Sequence, residues 1–327
     1  MIDLVAERTA LGGLERWLAD PTVTEVMVNA GSQIWVEQGG HTTQVGTMRV
    51  GTLLAPIEHV LAPIGRRIDR TQPMVDARLA DGSRVCAVLP PIAVDGPCLA
   101  IRRFSPRQLG LADFAAAAVA DLLRQIVHQR CNVLVSGPTS SGKTTLLGAL
   151  AAHIDPASRV ITLEDVAELR LHHPHVVRLE TRPATPDGVG EVGLDQLVRT
   201  ALRLRPDRLV VGEVRGAEAV PLLQALHTGH DGSLATVHAN SAADALERLA
   251  ALVVQSVGNW PAEAVRRHVE GAIDIVVHLH RSATGARTVH EVVEVGVGTG
   301  TAFRVTTLAV SDAVVATPAR GRSWVCR

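Results

Sequence analysis

The sequence has no tyrosine and only three phenylalanines and four tryptophans, so aromatic residues fill 2% of its 327 positions. Proteins that hold single-stranded nucleic acid stack bases on aromatic side chains within basic grooves. Such platforms are scarce here, and a formal net charge of -1 supplies no overall basic field. Nucleic acid is therefore disfavoured as a partner. Cysteine is also sparse. Cys86, Cys98, Cys131 and Cys326 show neither the C-x-x-C pairing of a zinc site nor the density of a secreted disulfide framework. A reduced, cytoplasmic protein fits that usage.

Long hydrophobic runs are missing as well. Asp113 and Asp121 interrupt the alanine-rich stretch that otherwise suggests a span, and Asp3 and Glu7 stand where a signal peptide needs positive charge. Membrane association is expected only through partners. The sharpest scarcity is lysine, which occurs once, at Lys143, while every other basic residue except histidine is arginine. Among 32 Lys plus Arg positions, a chance placement lands on that spot about once in thirty. A compact ammonium on a flexible stem fits a loop wrapped round phosphate better than a broad planar guanidinium does.

What is present begins with 46% hydrophobic residues, enough to bury the cores of two ordinary domains. Val23–Val45 alternates apolar and polar residues around Gly39-Gly40, and Asp81-Gly82 separates Met74–Leu79 from Arg84–Leu89, so two hairpins are predicted. The Pro90–Pro97 segment leads through Leu99–Phe104 to the turn Ser105-Pro106. This divides the chain into an N-terminal domain over 1–103, a linker over 104–110 and a second domain over 111–327.

Beyond the linker, Ala112–Gln129 has helical spacing and Val133–Val135 reads as a short strand. Strands are then predicted at Arg159–Leu163, Leu209–Gly212 and Leu234–Val237, with helices at Leu194–Leu204, Ala217–His227 and Ala242–Leu252. The fold class is α/β, with a mainly parallel sheet in the second domain. The tail after Ala283 reads as a hairpin followed by loose chain, with disorder expected over Pro318–Arg327.

Between the strand at Val133 and the next helix lies Gly137-Pro138-Thr139-Ser140-Ser141-Gly142-Lys143-Thr144, the full eight-position phosphate loop. Its backbone N–H groups and the positive end of the helix form a cavity for a β-phosphate. Lys143 is expected at the β- and γ-phosphates and the Thr144 hydroxyl on Mg²⁺. ATP or GTP binding follows from this loop.

Two later strand ends carry acids, Glu164-Asp165 with Glu168 nearby, and Glu213 two residues before Arg215. In a parallel sheet both open at the ligand edge. We assign Glu164 to the attacking water and Glu213 to magnesium through water, although acids at such positions also cap helices. His238, at the end of its strand, is placed near the γ-phosphate, and His230 is assigned to the nucleotide with it. The run His172-His173-Pro174-His175 is read as a solvated loop and given no metal. Arg199 and Arg203, at i,i+4 spacing, form a cationic helix face that solvent alone explains.

These segments resemble the secretion ATPase superfamily of type II and type IV secretion, type IV pili and tight-adherence pili. The likeness lies in Gly137–Thr145, Ile161–Glu168, Arg178–Pro183, Arg205–Glu218 and Thr228–Asn240, which look like its Walker A, Asp, Walker B and His boxes. The wording is most similar to the tight-adherence branch, and the likeness extends through Asp76–Arg84 and Ile101–Phe104.

The resemblance implies a cytoplasmic homohexamer, peripheral to the inner face of the membrane and docked on inner-membrane platform proteins. Each chain would carry an N-terminal α+β domain and a RecA-like ATPase domain. It implies ATP and Mg²⁺ as ligands and Thr145 as part of the loop. It also implies arginines reaching the phosphates from the N-terminal domain, with Arg102 and Arg103 as best matches and Arg84 an alternative. The Walker B acid is Glu213 where most phosphate-loop proteins have Asp. The C-x-x-C insertion and long N-terminal extension of some members are not expected here. Two alternatives stay open: a conjugation or DNA-transfer ATPase, and a nucleotide-gated docking subunit with negligible turnover.

Overall fold

A computed structural model describes residues 13–103, 109–184, 188–282, 285–298 and 302–319. The turn at Ser105-Pro106, most of the 104–110 linker, Cys326 and the last eight residues of the tail lie outside the described residues. The chain divides into two compact units, residues 1–107 and 108–327.

In the first unit six strands form one antiparallel sheet in the order β3-β2-β1-β6-β5-β4. They are β1 (Val23–Asn29), β2 (Gln33–Gln38), β3 (His41–Thr47), β4 (Met74–Arg78), β5 (Arg84–Val88) and β6 (Cys98–Arg102). Both predicted hairpin turns are present, but the stretch before Gly39-Gly40 is two strands, β1 and β2, and not one. Gly39 and Gly40 have φ of 57° and 84°, the left-handed pair that a two-residue turn needs to follow strand twist. Period-two alternation turns Val26, Val28, Ile34, Val36, Leu99 and Ile101 to one face, where they cluster with Ile57 and Leu61 of a helix over Leu54–Leu61.

The second unit holds a nine-stranded sheet in the order β15-β14-β13-β12-β7-β11-β10-β8-β9. The six strands from β12 to β9 in that order run parallel: β7 (Val133–Gly137), β8 (Val160–Glu164), β9 (Val176–Glu180), β10 (Arg208–Val211), β11 (Leu234–His238) and β12 (Ile275–Arg281). Antiparallel β13 (Arg287–Gly296), β14 (Arg304–Val310) and β15 (Ala313–Val314) extend one side. Successive residues of β7 enter different cores. Leu134 packs with the helices Leu194–Ala201, Ala219–His227, Ala242–Val257 and Ala262–Ala272, whereas Val133 and Val135 pack with the helices Ala117–His128 and Lys143–Ala151. A sheet covered on both faces explains why its central strands are mostly apolar and do not alternate.

Several elements differ from expectation. The helix predicted over Ala112–Gln129 is a short 3-10 turn at Leu111–Asp113 followed by a helix starting at Ala117. Between them the chain leaves helical geometry and buries Phe114, which is 1% exposed. Leu194–Leu204 finishes as a 3-10 turn from Leu202. The sequence reading also missed β12, which pairs directly with β7, because Ile275–Leu279 has no turn signal before it and only one polar residue in its run.

Candidate functional site

The carboxyl ends of the parallel strands bring the phosphate loop and the acidic boxes to one edge of the sheet. Gly137, the last residue of β7, stands in register with His238, the last of β11. Backbone bonds continue past the strand ends: Gly212 N donates to Leu163 O, and Val214 N to Thr236 O, both at 2.8 Å. Glu213 is thereby held on the same edge, between the end of β11 and the Glu164-Asp165 pair that ends β8.

The loop needs its glycines. Gly137 has φ of 154°, and a Cβ there would stand 2.6 Å from Ser141 Oγ and 2.9 Å from Leu279 O. Gly142, with φ of 93°, opens the helix Lys143–Ala151 in the left-handed region, where a side chain would be strained. Lys143 is 8% exposed and donates from Nζ to the carbonyls of Gly137 and Pro138, each at 3.0 Å. Burial pushes its pKa down, and Glu213 opposes that by attraction. Thr139 and Ser140 are exposed, and Thr144 and Thr145 are half-buried at the start of the helix.

Whether a polyphosphate fits this loop is answered by Ser141. Its hydroxyl is fully buried beside Gly137 and has no hydrogen-bond partner. Such a donor is costly to leave unmatched and suits a phosphate oxygen. The donor set therefore fits the ligand. No group of three or more His, Cys, Asp or Glu among the described residues is arranged to hold a metal. A magnesium ion at Thr144 and Glu213 would accordingly take most of its oxygen ligands from phosphate and water.

The acids divide into two settings. Glu213 is partly exposed and accepts from Arg215 Nη2 at 2.8 Å, while Arg215 Nη1 stands 3.9 Å from Asp165. Glu164 is 2% exposed, and its Oε1 accepts the backbone N–H groups of Glu168 and Leu169 at 2.9 Å. Its Oε2 is buried without a partner. Burial raises its pKa to about 7, against the pull of those two amides and of Arg178.

A family model described as "Type II/IV secretion system protein" matches residues 7–318. The chain belongs to that family. A Mycobacterium tuberculosis protein (strain ATCC 25618 / H37Rv) with a provisional conjugal-transfer name is 40% identical over 302 residues, 88% of this chain and 85% of its own length. Conjugal transfer protein TrbB of Rhizobium radiobacter is 35% identical over 288 residues, 85% of each chain. Type IV secretion system protein PtlH of Bordetella pertussis (strain Tohama I) is 35% identical over 310 residues, 85% of this chain and 91% of its own. Among solved structures, the pilus retraction motor PilT with bound ADP superposes with a TM-score of 0.58 at 18% identity, covering 96% of this chain and 84% of its own. The Legionella pneumophila ATPase DotB gives 0.57 at 20%, covering 86% and 79%. At these identities the two structures speak for the fold, an N-terminal antiparallel domain and a RecA-like one. Family membership carries nucleotide binding with it.

Not every residue expected in this secretion-family site is there. His238 is exposed at the phosphate-loop edge, but His230 precedes Leu234 and so sits at the opposite, amino-terminal edge of the sheet. Its Nδ1 bonds to Ala225 O at 3.1 Å and its carbonyl accepts from Ser233 Oγ at 2.7 Å. Within one chain His230 thus lies away from the phosphate-loop edge where the nucleotide assignment expected it.

Arg102 and Arg103 lie in the first unit. Arg103 donates to the carbonyls of Asp20 and, at 3.0 Å, Val23, fastening the start of β1, while Arg102 is exposed at the end of β6. Arg84 stands 3.3 Å from Asp76. In the histidine run, His175 contacts Arg159 at 2.6 Å and His173 contacts Asp155 O at 3.0 Å.

Two groups escaped the sequence reading. Arg215, two residues beyond Glu213, has no role that its spacing alone assigns. His278 on β12 bonds through Nδ1 to Ser136 Oγ at 2.9 Å, directly behind the loop, and burial and the neighbouring His290 lower its pKa. No sequence signal marks it, since only the β7–β12 pairing brings the two together.

Proposed function

We propose that this chain is the ATP-hydrolysing motor subunit of a secretion or pilus-assembly machine. The observation that carries the reading is Glu164. It is a carboxyl pushed to about 7 by burial, one oxygen held by two amides and the other unpartnered, on the sheet edge that bears the Lys143 loop. A base tuned near neutral pH is what activation of water requires.

In this reading Gly137–Thr145 holds the polyphosphate, Lys143 supplies its charge, Thr144 and Glu213 hold magnesium, and Glu164 orients and deprotonates water. His238 senses the terminal phosphate. When bound, magnesium neutralises charge on the phosphate oxygens. Arg215 keeps Glu213 in place and links it to Asp165. Domains 1–103 and 111–327 are joined at 104–110, and the chain works as a homohexamer. The motor works in the cytoplasm on inner-membrane platform proteins. No helix among the described residues is long and apolar enough to cross a membrane, which suits a role exerted through partners. The names of TrbB and PtlH favour a conjugal or type IV machine over the tight-adherence branch.

Steady-state hydrolysis across a protein concentration series tests the reading. We expect activity that rises more than proportionally with protein and that Lys143→Ala lowers by at least about a hundredfold. Wild-type activity in Lys143→Ala overturns the site. ATP binding without turnover favours the gated docking subunit.

A further inference from the structure

The phosphate loop is touched from outside by the β12–β13 hairpin, whose β13 strand has no part in the site as described so far. A Cβ on Gly142 would stand 3.0 Å from Arg287 Cδ, 3.3 Å from Phe114 Cε1 and 3.8 Å from Arg287 Nη1. Arg287 is the half-buried first residue of β13, so its stem lies along the last glycine of the loop and its guanidinium stands next to the residue preceding Lys143. The hairpin is firmly seated there. β12 pairs with β7, Val289 N donates to Phe114 O at 2.8 Å, and Leu279 O backs Gly137.

We propose that Arg287 is a phosphate-contacting residue, a second cation beside Lys143 that holds the nucleotide's polyphosphate at the Gly142 side of the loop. This rests on the reading of the loop as the nucleotide site.

The test is equilibrium binding of ATP carrying a fluorescent ribose label, and its displacement by inorganic pyrophosphate, for the full-length protein and for Lys143→Ala, Arg287→Gln and Arg287→Lys. Glutamine keeps the methylene stem against Gly142 and removes the charge. We expect Arg287→Gln to weaken both ligands about tenfold, the worth of one charge-assisted hydrogen bond, while Arg287→Lys stays within about threefold of wild type. The deficit should shrink as salt is raised.

Wild-type affinity in Arg287→Gln, with binding lost in Lys143→Ala, overturns the proposal and leaves the loop reading intact. Equal losses in the Gln and Lys variants reduce Arg287 to packing and overturn it too. Weakened ATP with unchanged pyrophosphate moves the contact off the phosphates, which also overturns it. Failure of the wild type to bind either ligand sinks both readings. Should Arg287→Gln not fold, the wild type suffices. Pyrophosphate must slow modification of Arg287 by an arginine-selective dicarbonyl, read by mass spectrometry, and absence of protection overturns the proposal.

Discussion

The two edges of the parallel sheet use similar polar residues to opposite ends. At the amino edge Arg208, 2% exposed, donates to the carbonyls of Val127 and Gly232, and Asn132 accepts from Gly232 N and Ser233 N while donating to Ala272 O. Asp274 accepts from Asn132 N, and Ser233 Oγ donates to His230 O and accepts from Leu209 N. Apart from Arg208 Nε, these groups are absorbed by backbone. At the carboxyl edge Ser141 Oγ and Glu164 Oε2 are buried without partners, and Glu213 and Arg215 pair with each other in partial contact with solvent. Buried polar groups that the backbone has already satisfied build a fold, and buried polar groups left unmatched beside exposed charges mark where a ligand goes.

The strongest way to break this comparison is Glu164→Gln. Glutamine can still accept from the amides of Glu168 and Leu169, so the loop should hold and ATP should bind, while turnover falls about a hundredfold or more. In the wild type, activity should rise with pH through about 7 as the carboxyl ionises. Stability should run the other way. The folded pKa lies above the unfolded 4.5, so the contribution of this group is fully present below about 4.5 and is lost as pH climbs through about 7. Denaturant melts at pH 5 and pH 8 should therefore show the wild type losing up to about 3 kcal/mol relative to Glu164→Gln. Full activity in the variant would hand the base role to Asp165 or Glu213 and erase the meaning given to the unmatched oxygen.

Arg208→Met sharpens the other side. It fills the volume but leaves the carbonyl of Gly232 without the Arg208 donor in a buried setting and Val127 O with only the Arg130 N–H, and should cost about 3 kcal/mol in denaturant melts. Nucleotide affinity per folded molecule should not change. A loss of affinity with unchanged stability would mean that the amino edge also serves the ligand.

What the sequence made legible was local. The spacing of Gly137, Gly142, Lys143 and Thr144 defines the loop without tertiary knowledge, and strand-end logic brought Glu164, Glu213 and His238 to one edge. The place of His230 was not legible, because its box gives spacing but no direction. Four residues before Leu234 and eight before His238, it lies on the far side of a strand about 16 Å long. Arg287 and His278 were unreadable for a different reason: each meets the loop through β12 or β13, and that pairing joins residues more than a hundred positions apart. The helix predicted over Ala112–Gln129 broke because burying Phe114 against Gly142 outweighed local propensity.

The smallest expected effects come from the two histidines, and they probe the comparison within a single strand. His238→Ala should lower turnover about tenfold with little change in stability, since this exposed residue stands in register with Gly137 and would act only when a phosphate is there to be sensed. His230→Ala should do the reverse, removing the bond from Nδ1 to Ala225 O for about 1 kcal/mol while turnover per folded molecule holds. Hydrolysis and denaturant melts on the two variants give four numbers whose pattern matters more than their size. If His230→Ala instead slows turnover as much as His238→Ala and melts like wild type, the amino edge of one copy must serve the site of a neighbour. The division between the edges would then hold only within a chain and not across the assembly.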